Sequence, residues 1–174
     1  FRRLREFQGG RIAVTVGVPH KCPIAPVELM FSLHDYFKMR GIRDKVHLKY
    51  YYPINRIHSI ENVAIWALPE FERMGIEMET LFNVREVDAA NKIVKSEEGT
   101  EVEYDLLISI PEHRGMPEVE RDKLGMGGWI PTDRHQLTMI GHDNIYVVGD
   151  TTNLPVSKTG SAAHFEAELV SENI

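Results

Sequence analysis

The chain has 174 residues, 43% hydrophobic and 26% charged, a balance that supports a packed core and excludes disordered and collagen-like classes. Its formal net charge of -6, with no basic stripe to neutralise phosphates, excludes a general nucleic-acid binder, and Arg2, Arg3 and Arg5 read as one solvated helix face. A single cysteine, Cys22, cannot close an internal disulfide, and its spacing to the histidines fits no structural zinc pattern. A reducing, cytoplasmic setting without a metal is therefore expected. No apolar run approaches the ~20 residues needed to cross a bilayer, and the first residues lack the order of a secretory signal.

Residues 1–8 read as the end of an amphipathic helix, with Leu4 and Phe7 on one face. A helix already under way at residue 1 predicts a piece of a longer polypeptide. After Gly9-Gly10, the β-branched run Arg11–Val18 predicts a buried strand, and Pro26–Arg40 shows helical periodicity through Val27, Met30, Phe31, His34 and Phe37 up to Gly41. Val46–Tyr52 is the next strand, stopped by Pro53. Glu61–Met74 is a second helix, expected to kink or break at Pro69 and closed by Gly75. Short alternating runs follow at Ile76–Leu81, Val84–Val87, Lys92–Ser96 and Glu101–Ile110, with a hairpin in the middle and a doubly buried strand at Leu106–Ile110. This order is that of an α/β, Rossmann-like βαβαβ unit with an appended β-meander, covering residues 9–112. Beyond it, Pro, Gly and charged residues dominate to Gly128, Trp129–Pro131 and Ile145–Val148 read as short strands, and a helix runs from about Ser161. So few elements cannot form an independent domain, and they are expected to complete a sheet whose other strands lie elsewhere.

A dinucleotide-binding βαβ unit carries G-x-G-x-x-G after its first strand, where glycines let the backbone approach a pyrophosphate. Here Gly17 is followed by Val18, Pro19, His20, Lys21 and Cys22, and the acidic residue expected at the tip of the second strand is replaced by Tyr52-Pro53-Ile54-Asn55. The NAD fingerprint fails. In its place stands a thiol flanked by Lys21 and His20, ahead of a helix start marked by Pro26. Positive neighbours and a helix N-terminus both favour a thiolate. The plainer reading is a packed cysteine acting as a small hydrophobe. A second stretch, Thr138–Asp150, ends in Gly149-Asp150, which places a carboxylate where polyol hydroxyls can bond it, or simply makes a turn. A third, Lys158-Thr159-Gly160, opens the last helix, where free N–H groups suit an electronegative ring edge or where Thr159 is an ordinary cap. His113, in the Pro111–Gly115 loop, can carry a proton, although a solvated loop histidine is the simpler reading.

Taken together, these stretches resemble the pyridine nucleotide-disulfide oxidoreductase superfamily, and within it the sulfide:quinone oxidoreductase branch. Lys21-Cys22-Pro23-Ile24-Ala25-Pro26-Val27-Glu28 is similar to that branch's Lys-Cys-Pro-Pro-Ala-Pro-x-Glu. Gly128-Trp129-Ile130-Pro131-Thr132-Asp133 and Thr138–Asp150 are similar to its second flavin-binding segment, and Lys158-Thr159-Gly160 to the Lys-Thr-Gly beside the isoalloxazine. The resemblance implies FAD as cofactor, with Gly149, Asp150, Lys158, Thr159 and Gly160 meeting it. It implies Cys22 as a redox cysteine that takes sulfide sulfur and passes electrons through FAD to a quinone. Residues 1–8 would then end a crossover helix, 9–112 would be a pseudo-NAD domain, and 113–174 the returning part of the FAD-binding domain. The glycine-rich loop for the ADP half and the partner cysteine are expected outside residues 1–174, so that the fragment by itself is expected to be inactive. The full-length protein is expected to be able to dock peripherally on a membrane and to form a homo-oligomer. Two other readings stay open: an NADH:quinone-type FAD oxidoreductase of the same fold, against which the broken glycine loop argues, and a non-catalytic Rossmann-like module in which Cys22 is merely packed.

Overall fold

The computed structural model describes residues 2–174, which divide into two compact units, the first ending at Glu112 and the second running from His113 to Ile174. The first unit is built around β1 (Gly10–Val16), whose residues from Ile12 onward are all buried. It lies parallel between β2 (Val46–Tyr52) and β7 (Leu106–Ile110), and β3 (Ile76–Thr80) extends the sheet beyond β2, giving the order β3-β2-β1-β7. Strand alternation separates two faces. Ile12, Val14, Val16, Leu48, Tyr50 and Tyr52 pack with α2 (Ala25–Met39) and α3 (Glu61–Arg73) through Val27, Met30, Leu33, Phe37, Ala64, Ala67 and Phe71. Ala13 and Tyr51 pack with Phe82, Val94 and Tyr104, which belong to the antiparallel meander of β4 (Val84–Asp88), β5 (Ile93–Ser96) and β6 (Glu101–Glu103) and its flanks. This is the expected α/β, Rossmann-like arrangement with its meander.

Three expectations change. β1 ends at Val16 rather than Val18, because Gly17 turns the chain beside β7: its N–H donates to the Ile110 carbonyl at 2.7 Å, and a Cβ there would stand 2.7 Å from the Glu112 nitrogen. The run Glu101–Ile110 is two strands, not one. Tyr104 and Asp105 switch it from the antiparallel sheet to the parallel one, with Asp105 accepting the Arg11 N–H at 2.7 Å. Helix α3 continues through Pro69 without a break. Pro69 lies on the exposed side, where water can satisfy the Ile65 carbonyl that proline leaves without a donor.

Two arginines tie the first unit's helix ends. Arg40 Nη1 donates to the Leu4 and Phe7 carbonyls at 2.9 and 2.8 Å, which occupies acceptors at and just beyond the end of the short helix α1 (Arg2–Glu6). Arg43 sits in the turn between α2 and β2 and donates to His34 Nδ1 (3.0 Å) and to the carbonyls of Val46, Met74 and Gly75 (2.6, 2.8 and 2.7 Å). It thereby joins the end of α2, the start of β2 and the end of α3.

In the second unit, a short helix α4 (Pro117–Arg121) forms where the sequence predicted only loop. Gly115 and Gly128 press backbone to backbone, so that a Cβ on either would collide with the other's main chain. The strands expected at Trp129–Pro131 and Ile145–Val148 are reduced to isolated bridges, Met126 with Trp129, Ile130 with Thr152, Thr132 with Met139 and Thr138 with Tyr146. Each pairing stops after one step because the chain turns again at once; Asp133, for instance, accepts the N–H groups of His135 and Gln136 at 2.9 and 2.8 Å. The unit closes with α5 (Gly160–Asn173), which buries none of its residues and leaves Phe165 67% exposed.

Replacing Arg43 with Met should lower stability by about 2–3 kcal/mol, since it strands several half-buried acceptors, while Arg43→Lys restores only part of the loss; urea titration checks both. His34, His20 and His58 are all held below the ordinary imidazole value of 6.5, burial being the first cause in each. The unfolded chain therefore binds more protons than the folded one just below that value, and stability should fall as pH drops from about 6.5 until the folded imidazoles themselves protonate. Melting temperatures between about pH 7.5 and 5 would show this, and His34→Gln should flatten part of the slope.

Candidate active site

Parallel strands all point their carboxyl ends to one edge of the sheet, which is where open α/β folds take ligands. In the first unit that edge is formed by the loop after β1, residues 17–24, and the loop after β2, residues 53–60. Cys22 is half-buried there, three residues before α2 begins. Lys21 is exposed and His20 half-buried. His20 Nε2 lies 2.6 Å from the Tyr52 hydroxyl, their rings tilted with centroids 5.8 Å apart. Tyr52, at the tip of β2, stacks on Tyr50 at 5.6 Å, and burial raises the pKa of both phenols, so both remain neutral donors at any ordinary pH. The position where a dinucleotide fold offers an acid to a ribose is therefore filled by a neutral phenol already engaged with an imidazole.

His58 completes this edge. It is 1% exposed, its Nδ1 accepts the Ile60 N–H at 3.0 Å, and Arg56 braces its loop by donating to the His58 and Ser59 carbonyls at 3.1 and 2.8 Å. Neither Tyr52 nor His58 stood out in the sequence as a functional residue. Tyr52 was visible only as a missing acid. His58 lies in an irregular loop whose spacing carries no periodic signal, so only folding reveals that it faces the cysteine loop.

In the second unit, Gly149 opens a single 3-10 turn, Gly149–Thr151, instead of ending a strand. Its φ of +73° and its approach to α5, where a Cβ would meet the Ala163 Cβ at 3.3 Å, both require glycine. The Gly149 N–H donates to Glu166 of α5 at 2.5 Å, which fixes Gly149-Asp150 against the helix's first turns. Asp150 is half-buried. Lys158 directs its ammonium into the same turn, donating to the Thr152 carbonyl and hydroxyl at 2.8 Å each and to the Leu154 carbonyl at 3.1 Å. Burial lowers its pKa, against the opposing charges of Glu166 and Asp150. Thr159 caps α5, its hydroxyl accepting the Ala162 N–H at 3.2 Å. The amides of Gly160 and Ser161 precede the first intrahelical bond, from Ala163 to Thr159, and so have no acceptor within the helix. This donor set, with neutral hydroxyls beside it, fits the electronegative edge of a flavin. His113 is half-buried and packs edge-on against Trp129, with ring centroids 5.8 Å apart, in place of the solvated loop position expected of it.

The chain is similar to known proteins in sequence and fold. The chain is 25% identical to a mitochondrial sulfide:quinone oxidoreductase of Dictyostelium discoideum, over all of its own length and 40% of the relative's. It is 26% identical to the mitochondrial sulfide:quinone oxidoreductase of Mus musculus, over 98% of the chain and again 40% of the relative. The crystal structure of the sulfide:quinone oxidoreductase from Aquifex aeolicus superposes with a TM-score of 0.79 at 21% identity, covering 99% of this chain and 44% of that one. The chain thus spans well under half the length of the proteins it matches. The family model for pyridine nucleotide-disulphide oxidoreductases matches residues 41–167. On that match the chain belongs to the pyridine nucleotide-disulphide oxidoreductase family, and FAD is the cofactor that membership implies.

Proposed function

We propose that this chain is part of a flavin-dependent oxidoreductase that oxidises sulfide at Cys22 and delivers the electrons through FAD to a quinone, with residues 9–112 acting as a pseudo-NAD domain and 113–174 as the returning part of the FAD-binding domain. The observation that carries the reading is the replacement at the ligand edge: where a nucleotide fold offers glycine amides and a ribose-binding acid, this chain presents a half-buried thiol and neutral aromatic polar groups. The sulfide:quinone oxidoreductases among its relatives support the same reading, as does the Lys21-Cys22-Pro23 stretch.

Each part of the site has a task in it. Lys21, exposed beside the thiol, attracts hydrosulfide, and Cys22 thiolate joins that sulfur in a new S–S bond. Forming this bond from a thiolate and hydrosulfide releases one proton and two electrons. When bound, FAD supplies the two-electron acceptor from which a quinone is reduced. Gly149 and Asp150 bind the polyol part of the cofactor, the former by close backbone approach and the latter by accepting hydroxyl hydrogen bonds. The Gly160 and Ser161 amides, with Thr159 holding the first turn of α5, favour negative charge at the ring edge. Lys158 acts from behind: its three bonds shape the Thr152–Leu154 turn that leads into this helix.

In the full-length protein, Cys22→Ser should lower sulfide-dependent quinone reduction roughly 100-fold or more, because a serine hydroxyl cannot form the S–S bond. NADH as donor should give no comparable rate in either form; NADH activity that survives the serine change would overturn the reading. Lys158→Met should weaken FAD retention about tenfold, equivalent to about 1.4 kcal/mol, with the fold otherwise kept. Flavin fluorescence titration together with circular dichroism checks it.

A further inference from the structure

β3 forms the outer edge of the parallel sheet, pairing with β2 alone among the described residues. An edge strand leaves a row of N–H and C=O groups without ladder partners, and no main-chain bond from another segment reaches Ile76–Thr80 on that side. Beside this edge runs an apolar groove of about 260 Å³, lined by Met78 of β3, by Ala64, Ile65 and Leu68 of α3 and by Ile57 of the loop after β2. Trp66 shows which flank of α3 this is. Its ring packs edge-on against Phe31 of α2 at 5.8 Å and so faces the middle of the sheet, while Leu68, on the opposite side of the helix, overhangs the free edge of β3.

The two faces of this edge differ in chemistry. Strand alternation puts Met78 on the α3 side and Glu77 and Glu79 on the other. Glu79 is paired with Lys49 at 2.8 Å, whereas Glu77 has His47 Nε2 at 3.1 Å, an imidazole that answers a carboxylate with full charge only when protonated. The Glu77 side chain is 54% exposed and open to a further cation. Glu61 lines the groove and is 73% exposed; Arg56, the one cation lining it, is turned to the His58 and Ser59 carbonyls and lies 3.9 Å from Glu61. Three carboxylates thus border an edge whose own cations are already engaged. The same carboxylates oppose a second copy of the chain. In an antiparallel pair of β3 edges centred on Met78, Glu77 of each copy would face Glu79 of the other, and like charges directly opposite destabilise a sheet.

We propose that β3 is a docking edge for an extended segment of a partner polypeptide in which apolar and basic residues alternate. Added beside β3, the segment exchanges main-chain hydrogen bonds with the open side of that strand. Its apolar side chains fall on the α3 side and fill the groove. Its lysines or arginines fall on the other side, next to Glu77 and Glu79. The surface is independent of the chemistry given to Cys22, and its test needs neither flavin, sulfide nor quinone.

The probe is a labelled peptide of about seven residues alternating lysine and leucine, long enough to span the 5 residues of β3. Titrated with the whole chain and read by fluorescence anisotropy, it should bind saturably and slow amide hydrogen exchange in β3. Replacing its lysines with glutamates should weaken binding at least tenfold. Of two peptides N-methylated on alternate amides, the one altered on the row that meets β3 should lose at least tenfold and the other little. Ile65→Ser, which trims the groove at an exposed position, and the double change Glu77→Gln with Glu79→Gln should each weaken binding about threefold to tenfold. Circular dichroism establishes that each variant is folded; should the double variant not fold, Ile65→Ser and the peptide series decide. Absence of saturable binding, equal affinity for the glutamate peptide, or indifference to which row is methylated overturns the proposal. So does self-association of the chain that protects the same β3 amides, since the occupant is then a second copy. Full protection of those amides in the full-length protein without peptide overturns it as well, because the edge is then closed from within.

Discussion

The structure depends on β1 being buried on both faces. A strand with helices on one side and a second sheet on the other must be paired along both edges and apolar throughout, and Ile12–Val16 meets that demand with one polar exception, Thr15, whose hydroxyl finds Ser109 at 3.2 Å. Once β1 is central and its neighbours run parallel to it, the loops after β1 and β2 must emerge side by side. The cysteine, the two imidazoles and the Tyr52 hydroxyl share one edge for that reason, although His58 is separated from Cys22 by a helix and a strand.

That edge lacks the groups with which a dinucleotide fold meets a pyrophosphate and a ribose. The glycine that remains, Gly17, serves the crossing of β1 and β7 and not a phosphate, since its missing Cβ makes room for the Glu112 backbone. The next positions carry side chains where a phosphate loop would bare its amides. A neutral phenol at the tip of β2 gives no carboxylate to a ribose, and its bond to His20 consumes the hydroxyl. Burial lowers the pKa of both imidazoles at this edge, which favours their neutral form.

The second unit follows a different logic. Its polar residues face inward to shape turns: Lys158 spends its three donors on Thr152 and Leu154, Glu166 takes the Gly149 N–H, and Thr159 closes the first turn of α5. The lysine expected to meet the cofactor directs its ammonium into the turn, beside the backbone amides and hydroxyls that open α5. Such groups carry no residue-type signal of their own. A Lys-Thr-Gly motif is legible in a sequence, but whether its charge points outward or into the turn behind it is not.

Hydrophobic periodicity was enough to read the parallel core, because a strand such as Val46–Tyr52 or a helix such as Ala25–Met39 declares itself locally through β-branched or amphipathic spacing and through its Pro and Gly boundaries. It failed where pairing is decided by distant segments. The run Glu101–Ile110 reads as one strand because nothing local marks the change of sheet at Tyr104-Asp105, and Ile145–Val148 reads as a strand although its neighbours permit only a single bridge. The sequence by itself determined the α/β class, the family and the unusual thiol, all of which rest on short contiguous patterns. Only tertiary structure decided that the loops carrying Cys22 and His58 and the tip of β2 with Tyr52 share one edge of the sheet, because strand order creates that placement and is not written in the spacing of the residues.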